Sequence, residues 1–233
     1  MPSNMAEGRV ASATSLEFVS AVAHELQSPV AAVKGAAATL LGSPELDDET
    51  RERLLSVIGD AASQLGRLVD DLLLAGRLEA GRLPIRVTGC DAFPVAESAV
   101  EAARAAAPEG VSIRLSAVAG LPNVAADPER LRQVIANLVD NAVKYSSRDG
   151  IVEVRLQETR GRLRLTVSDE GPGIAPEEQE RIFERFHRGG TGGPGTGLGL
   201  YLARELVVAM AGLISVESKP EQGATFTVEL PLA

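Results

Sequence analysis

Apolar residues recur at Leu16, Val19, Ala23, Leu26, Val30, Val33, Ala37 and Leu40, in alternating steps of three and four without a break. That spacing is the seam of a coiled coil or helical bundle. It predicts one amphipathic helix from about Thr14 to Leu41. A second seam follows at Leu54, Ile58, Ala61, Leu65, Leu68, Leu72 and Ala75. The stretch between them, GSPELDDET (42–50), carries turn and helix-start signals. Two such helices make an antiparallel hairpin. A hairpin alone cannot bury both seams, so a homodimer closing a four-helix bundle is expected.

The first helix carries the stretch AVAHELQSPVAAVK (21–34), with one of the two histidines of the chain. His24 lies one residue off the seam, which turns its imidazole toward solvent beside the interface. Pro29, five residues on, has no N–H to give the carbonyl of Glu25, so a kink or loosening is expected there. An exposed histidine, the flanking Glu25 and a helix defect suggest a chemical site. The plainer alternative is a solvated histidine on a helix that tolerates a proline.

The net charge of −9 and pI of about 4.9 argue against a nucleic-acid binder, which needs a basic face. No apolar run approaches the roughly 18 residues of a membrane span. Leu206 to Ile214 reads as a buried helix end running into a strand. The start, MPSNMAEGRV, has no apolar signal core, and Cys90 is the single cysteine. These features fit a soluble, cytoplasmic segment without membrane contact and leave room for a longer, membrane-anchored parent. Lysine is scarce, present only at Lys34, Lys144 and Lys219.

The expected organisation is a flexible N-terminus (1–14), the helical hairpin (15–77), a linker (78–90) with Gly81, Pro84 and Gly89 as breakers, and a second domain (91–233). In that domain Pro94 to Ala107 reads as a helix and Val111 to Leu115 as a strand. Asp127-Pro128 reads as an N-cap with proline at the first helical position, opening a helix to about Tyr145. Ile151–Leu156, Leu163–Val167 and Thr225–Leu230 alternate apolar and polar, as half-buried antiparallel strands do. The fold class is therefore α+β, with the hairpin followed by a two-layer α/β sandwich on a mixed sheet.

Three stretches of this domain carry chemistry. In the helix NLVDNAVKYS, Asn137 and Asn141 are four apart and share a face, with Lys144 three beyond. Amide oxygens suit Mg²⁺, which takes its other ligands from water and phosphate, and an ammonium suits phosphate. A polar outer helix face is the ordinary alternative. In SDEGPGIAP (168–176), a carboxylate at a strand end, Asp169, is placed to accept from an exocyclic amine. Gly171 and Gly173 permit close approach of a flat ring; an ordinary glycine turn is the alternative. GGTGGPGTGLGL (189–200) opens a helix running to about Met210, and glycines before a helix N-terminus form an amide cradle for phosphate. It matches neither a Walker motif nor a dinucleotide fingerprint. The density of glycine over 189–195 predicts a mobile lid.

Taken in order, these motifs resemble the sensor histidine kinases of two-component signalling, over nearly everything from residue 15 onward. HELQSP resembles the phosphoacceptor box of that family, NLVDNAVKYS its asparagine box, and DEGPG and GTGLGL its two glycine boxes. IFERFHRG (182–189) resembles the phenylalanine box between them. The resemblance implies a dimerisation and phosphoacceptor hairpin followed by an ATP-binding domain. His24 would attack the γ-phosphorus of ATP, and Glu25 would polarise it or accept its proton, although adjacent helix residues do not normally face each other. Asn141 would bind Mg²⁺ with Asn137 as companion, Lys144 would neutralise phosphate, and Tyr145 would pack near adenine. Asp169 would read adenine. Gly171, Gly173, Ile174, Gly195, Thr196, Gly197, Leu198 and Gly199 would line the nucleotide, and Arg188 would reach the γ-phosphate. His187 is expected to be a lid surface residue rather than a second acceptor.

Two positions depart from the family pattern. Residue 27, commonly basic there, is Gln27. Residue 28, commonly threonine or asparagine and linked to hydrolysis of the phosphorylated partner, is Ser28. Ser28 is a candidate phosphatase residue, and the small Ala21, Ala31, Ala32 and Gly35 around His24 would admit the receiver domain of a response regulator. The alternatives are a degenerate, nucleotide-binding scaffold or a gyrase- or chaperone-like ATPase; the His24 hairpin argues against the second.

Overall fold

The structure is a computed structural model that describes residues 3–43, 45–187 and 196–233; the side chains of residues 3–21 and of His24 lie outside that description. The chain divides into two compact units, Met1–Leu74 and Ala75–Ala233.

The first unit holds α1 (Ser3–Gly42) and most of α2 (Asp48–Glu79). Helix α1 begins well before the expected start at Thr14, through a segment rich in alanine and free of proline beyond Pro2. It continues through Pro29 without interruption. Pro29 and Ala36 are buried, while the predicted seam is half-buried at Leu26, Val33, Ala37 and Leu40 and exposed at Ala23 and Val30. The buried line on α1 is therefore one residue off the predicted seam. On α2 the seam is as expected: Ala61, Leu68 and Ala75 are buried, and Leu54, Ile58, Leu65 and Leu72 are half-buried. Asp47 caps α2, accepting from the N–H of Thr50 at 2.7 Å and from its hydroxyl at 2.8 Å.

Helix α2 runs past Gly76, beyond the predicted linker start, because one glycine costs a helix only about 1 kcal/mol. The stop comes at Gly81, whose φ of +61° closes the helix with bonds from Gly81 N–H to Leu78 and from Arg82 N–H to Arg77.

The second unit is a two-layer sandwich. Its five-stranded sheet has the order β2–β4–β5–β7–β6, where β2 is Ser112–Ala117, β4 Ile151–Thr159, β5 Arg162–Asp169, β6 Leu213–Ser218 and β7 Ala224–Pro231. All pairings are antiparallel except β2 with β4, so the sheet is mixed. Two short strands, β1 (Thr88–Cys90) and β3 (Val124–Ala126), pair separately. At three residues each they are too short to show a period, and the sequence reading passed over them. Helices α3 (Ala92–Ala106), α4 (Pro128–Tyr145) and α5 (Gly199–Ala209) cover one face.

The core follows from alternation. Val152, Val154, Leu156, Leu163, Leu165, Val167, Phe226, Val228 and Leu230 point inward from the central strands and are nearly inaccessible. They meet Leu131, Ile135, Leu138 and Ala142 of α4 and Leu202 and Leu206 of α5, all equally buried. Phe183 stands edge-on to Phe226 with ring centres 6.3 Å apart. Among the described residues, no helix is long and apolar enough to cross a membrane.

Candidate functional site

Helix α4 is positioned from its first residue. Asp127 accepts from the N–H groups of Glu129 (3.1 Å) and Arg130 (3.3 Å) with one oxygen and from Arg86 N–H (2.9 Å) with the other. Asp127-Pro128 thus fixes where the helix begins and ties the preceding chain to it. Counting on from there, the apolar face turns to the sheet and Asn137, Asn141, Lys144 and Tyr145 come out half-buried on the other side.

The three glycine- or amide-bearing stretches converge. Asn137 donates its side-chain N–H to the carbonyl of Gly199 at 3.0 Å, which joins α4 to the first turn of α5. Its amide is thus committed to holding the glycine-rich wall in place. Asn141, one turn on, makes no side-chain hydrogen bond among the described residues. At the end of α4 the carbonyl of Tyr145 lies against Gly171, where a Cβ would come within 2.5 Å of it.

Asp169 closes β5 and is buried to 9% exposure. One carboxylate oxygen accepts from Gly171 N–H at 2.9 Å and from Ala224 N–H at 3.3 Å. Burial pushes its pKa above the usual carboxylate value, and these two bonds hold it back in part. The second oxygen carries neither bond. A charged acceptor is therefore held, against its desolvation cost, at the mouth of a glycine turn. Lys144 places its ammonium 5.5 Å from the Tyr145 ring centre; burial lowers its pKa, with Asp140 opposing. Burial likewise raises the Tyr145 phenol.

The structure gives one of the expected glycines a requirement of its own. Gly173 has φ +70°, and a Cβ there would lie 1.9 Å from the carbonyl oxygen of Lys219. Its close approach is to the protein's own backbone, in a loop that also gives Glu221 N–H to Pro172 and Gly223 N–H to Gly171. Ile174, beside it, gives its N–H to the Ser218 hydroxyl at 2.8 Å. The loop 218–224, with Ala224 at the Asp169 carboxylate, was missed by the sequence reading. Its signal was the turn PEQG leading into a strand. Gly197, φ +65°, sits against Phe186 and accepts its N–H at 2.9 Å. Thr196 accepts from the N–H of the buried Leu198 at 3.2 Å. Arg188 and Gly195 lie outside the described residues.

His187 is not the surface residue expected from its place in the lid. Its side chain is only 11% exposed and its Nε2 meets Glu178 at 2.5 Å. In the first unit, Glu25 is half-buried, and Ser28, Ala31, Ala32 and Gly35 are exposed.

Two family models match: the His Kinase A (phospho-acceptor) domain over residues 14–81, and the histidine kinase-, DNA gyrase B- and HSP90-like ATPase over 126–233. The sensor-like histidine kinase SenX3 of Mycobacterium tuberculosis is 38% identical over 223 residues, covering 92% of this chain and 53% of its own length. The chain thus spans about half the length of that relative. The mycobacterial sensor histidine kinase MprB is 30% identical with a TM-score of 0.57, covering 63% of this chain and 98% of that one. Full-length ShkA, solved in complex with AMPPNP, is 32% identical with a TM-score of 0.68, covering 93% of this chain and 46% of that one. With both halves matched in the same order, the chain belongs to the sensor histidine kinase family.

Proposed function

We propose that this chain binds ATP in its second unit, phosphorylates His24 and passes the phosphoryl group to an aspartate of a response-regulator receiver domain. What carries the reading is the buried Asp169 carboxylate, held at the mouth of a glycine turn with one oxygen free of backbone bonds. The turn engages only one of its oxygens, and the other is an acceptor of the kind an adenine amine needs.

The donor set fits a nucleotide with Mg²⁺. Asn141 offers an unengaged amide and Lys144 a cation one turn beyond. Among the described residues no group of three His, Cys, Asp or Glu side chains is gathered, so Asn141 would hold the metal together with phosphate and water. The metal supplies charge neutralisation at the phosphates. Asp169 fixes the base, Asn137 holds the α5 wall, and Lys144 offsets phosphate charge. At His24 an N–P bond forms as the bond from the γ-phosphorus to its bridging oxygen breaks, ADP leaves, and Glu25 takes the imidazole proton.

The homodimer follows from α2. Beside its half-buried seam runs a second line, Leu55, Gly59, Ala62, Gly66, Val69 and Leu73, again in steps of four and three and all exposed. A second copy closing a four-helix bundle covers it. The exposed Ser28 and small residues beside it suit close approach of a receiver domain.

The test is incubation with γ-labelled ATP and Mg²⁺. Acid-labile, alkali-stable label is expected on the wild type and absent from His24→Gln. Label that persists in that variant sinks the acceptor assignment. Ser28→Ala should keep autophosphorylation within a few-fold and slow regulator dephosphorylation by roughly ten-fold, the scale of losing one water-positioning group.

A further inference from the structure

Outside the nucleotide groups, one cluster joins three parts of the second unit. Glu79, in the last turn of α2, forms an ion pair with Arg185 of the phenylalanine-rich segment. The same guanidinium lies over two rings, 5.3 Å from the centre of Phe186 and 6.0 Å from that of Tyr201. Tyr201 is in the first turn of α5, two residues beyond the Gly199 carbonyl that Asn137 holds. Phe186 gives its N–H to Gly197 and takes a φ of +60°, unusual for a bulky side chain. Burial, Glu205 and Glu79 together raise the Tyr201 phenol while Arg185 opposes them, so these groups sense one another.

Arg185 therefore bridges the end of the long helix and the glycine-rich wall. We propose that Arg185 is a positioning residue for nucleotide binding, and that through its pair with Glu79 the last turn of α2 sets the affinity of the site. The proposal rests on the nucleotide reading above. It makes the helix end a regulatory input: any change that carries Glu79 away from Arg185 loosens the Phe186 and Tyr201 contacts and weakens the wall. Linkage makes the effect reciprocal, so bound nucleotide holds the helix end more firmly.

Glu79 is 47% and Arg185 24% exposed, so the pair alone is modest; each single substitution is expected to weaken binding by about three- to five-fold. The experiment measures Mg²⁺–ADP affinity by titration calorimetry on the whole chain. The variants are Glu79→Gln, Arg185→Gln, both together, and the exchange Glu79→Arg with Arg185→Glu. If the pair acts as a unit, the double variant binds no worse than either single one, and the exchange, which restores the ion pair but not the guanidinium over the rings, recovers part of the affinity. Arg185→Lys, which keeps the charge but not the planar stack, should fall between. If Arg185→Gln fails to fold, the exposed Glu79→Gln carries the test.

The second readout is amide hydrogen exchange over residues 75–81. Mg²⁺–ADP should slow it in the wild type and not in Glu79→Gln. Additive losses, no loss, or exchange at the helix end indifferent to bound ADP overturns the proposal. A wild type that binds no ADP overturns the nucleotide reading, and the proposal with it.

Discussion

Helices α2 and α4 are both amphipathic, but they differ in what they leave uncovered. Helix α4 hides one face completely: Leu131, Val134, Ile135, Leu138 and Val139 have no accessible surface. Its other face is polar and chemical. Helix α2 hides a narrow seam and shows solvent a second apolar line, with Leu55 at 54%, Val69 at 47% and Leu73 at 55% exposure. The difference teaches where each unit ends. The sandwich closes its core within one chain, whereas the hairpin leaves a line of apolar surface in water, as the proposed dimer requires.

Charging the exposed line should break that comparison most severely. Leu55→Asp with Leu73→Asp buries two unpaired charges in the proposed dimer, at several kcal/mol each. Light scattering should then report a monomer, while the second unit keeps its own thermal transition. A variant that stays dimeric shows that the interface lies elsewhere on the hairpin. Next in size, Leu138→Ala opens a cavity in the sandwich core and should cost about 2–5 kcal/mol in denaturant unfolding without changing oligomeric state. Third, Asp127→Ala removes the cap of α4 and the acceptor of Arg86, for about 1–3 kcal/mol. A loss below about 0.5 kcal/mol, the scale of ordinary surface changes, would mean that water replaces the cap.

The same contrast explains what was legible. Helix α4 was readable end to end, because Asp127-Pro128 announces its start and its period meets a single buried face. The α2 seam was readable for the same reason. The seam of α1 was displaced by one residue, onto Pro29 and Ala36, since the sequence states which residues are apolar and not which flank a single hairpin covers. Gly81 was among the expected breakers and is where α2 stops, whereas Gly76 stays inside the helix; the two are alike in sequence, and only the backbone distinguishes a helical glycine from one at positive φ. In the candidate site, the strand-end position of Asp169 and the shared helix face of Asn137 and Asn141 were readable from motif order and spacing. The engagement of Asn137 with Gly199, of His187 with Glu178, and of the 218–224 loop with Asp169 was not, because each spans a separation that no local pattern encodes.

Asp169→Asn is the smallest perturbation and sharpens the comparison from the functional side. The amide oxygen can keep the bonds from Gly171 and Ala224, so the change removes little but the charge. The folded-state pKa of Asp169 is raised above its ordinary value of 3.8, chiefly by burial. Between these two values the folded chain binds more protons than the unfolded one, so this group's contribution to stability is fully present below the ordinary value. It is lost as pH rises toward the folded pKa. The variant escapes that loss. Its melting temperature should match the wild type near pH 4 and exceed it increasingly as pH rises, levelling off once the wild-type carboxylate is ionised. Its affinity for Mg²⁺–ADP should fall at neutral pH, because the second carboxylate oxygen is replaced by a donor that cannot accept from an adenine amine. A melting-temperature difference that does not vary with pH would show that Asp169 is not strained by burial. Unchanged affinity would remove it from the site. A fold made steadier by losing this charge, and a ligand lost with it, would together identify Asp169 as held for the nucleotide.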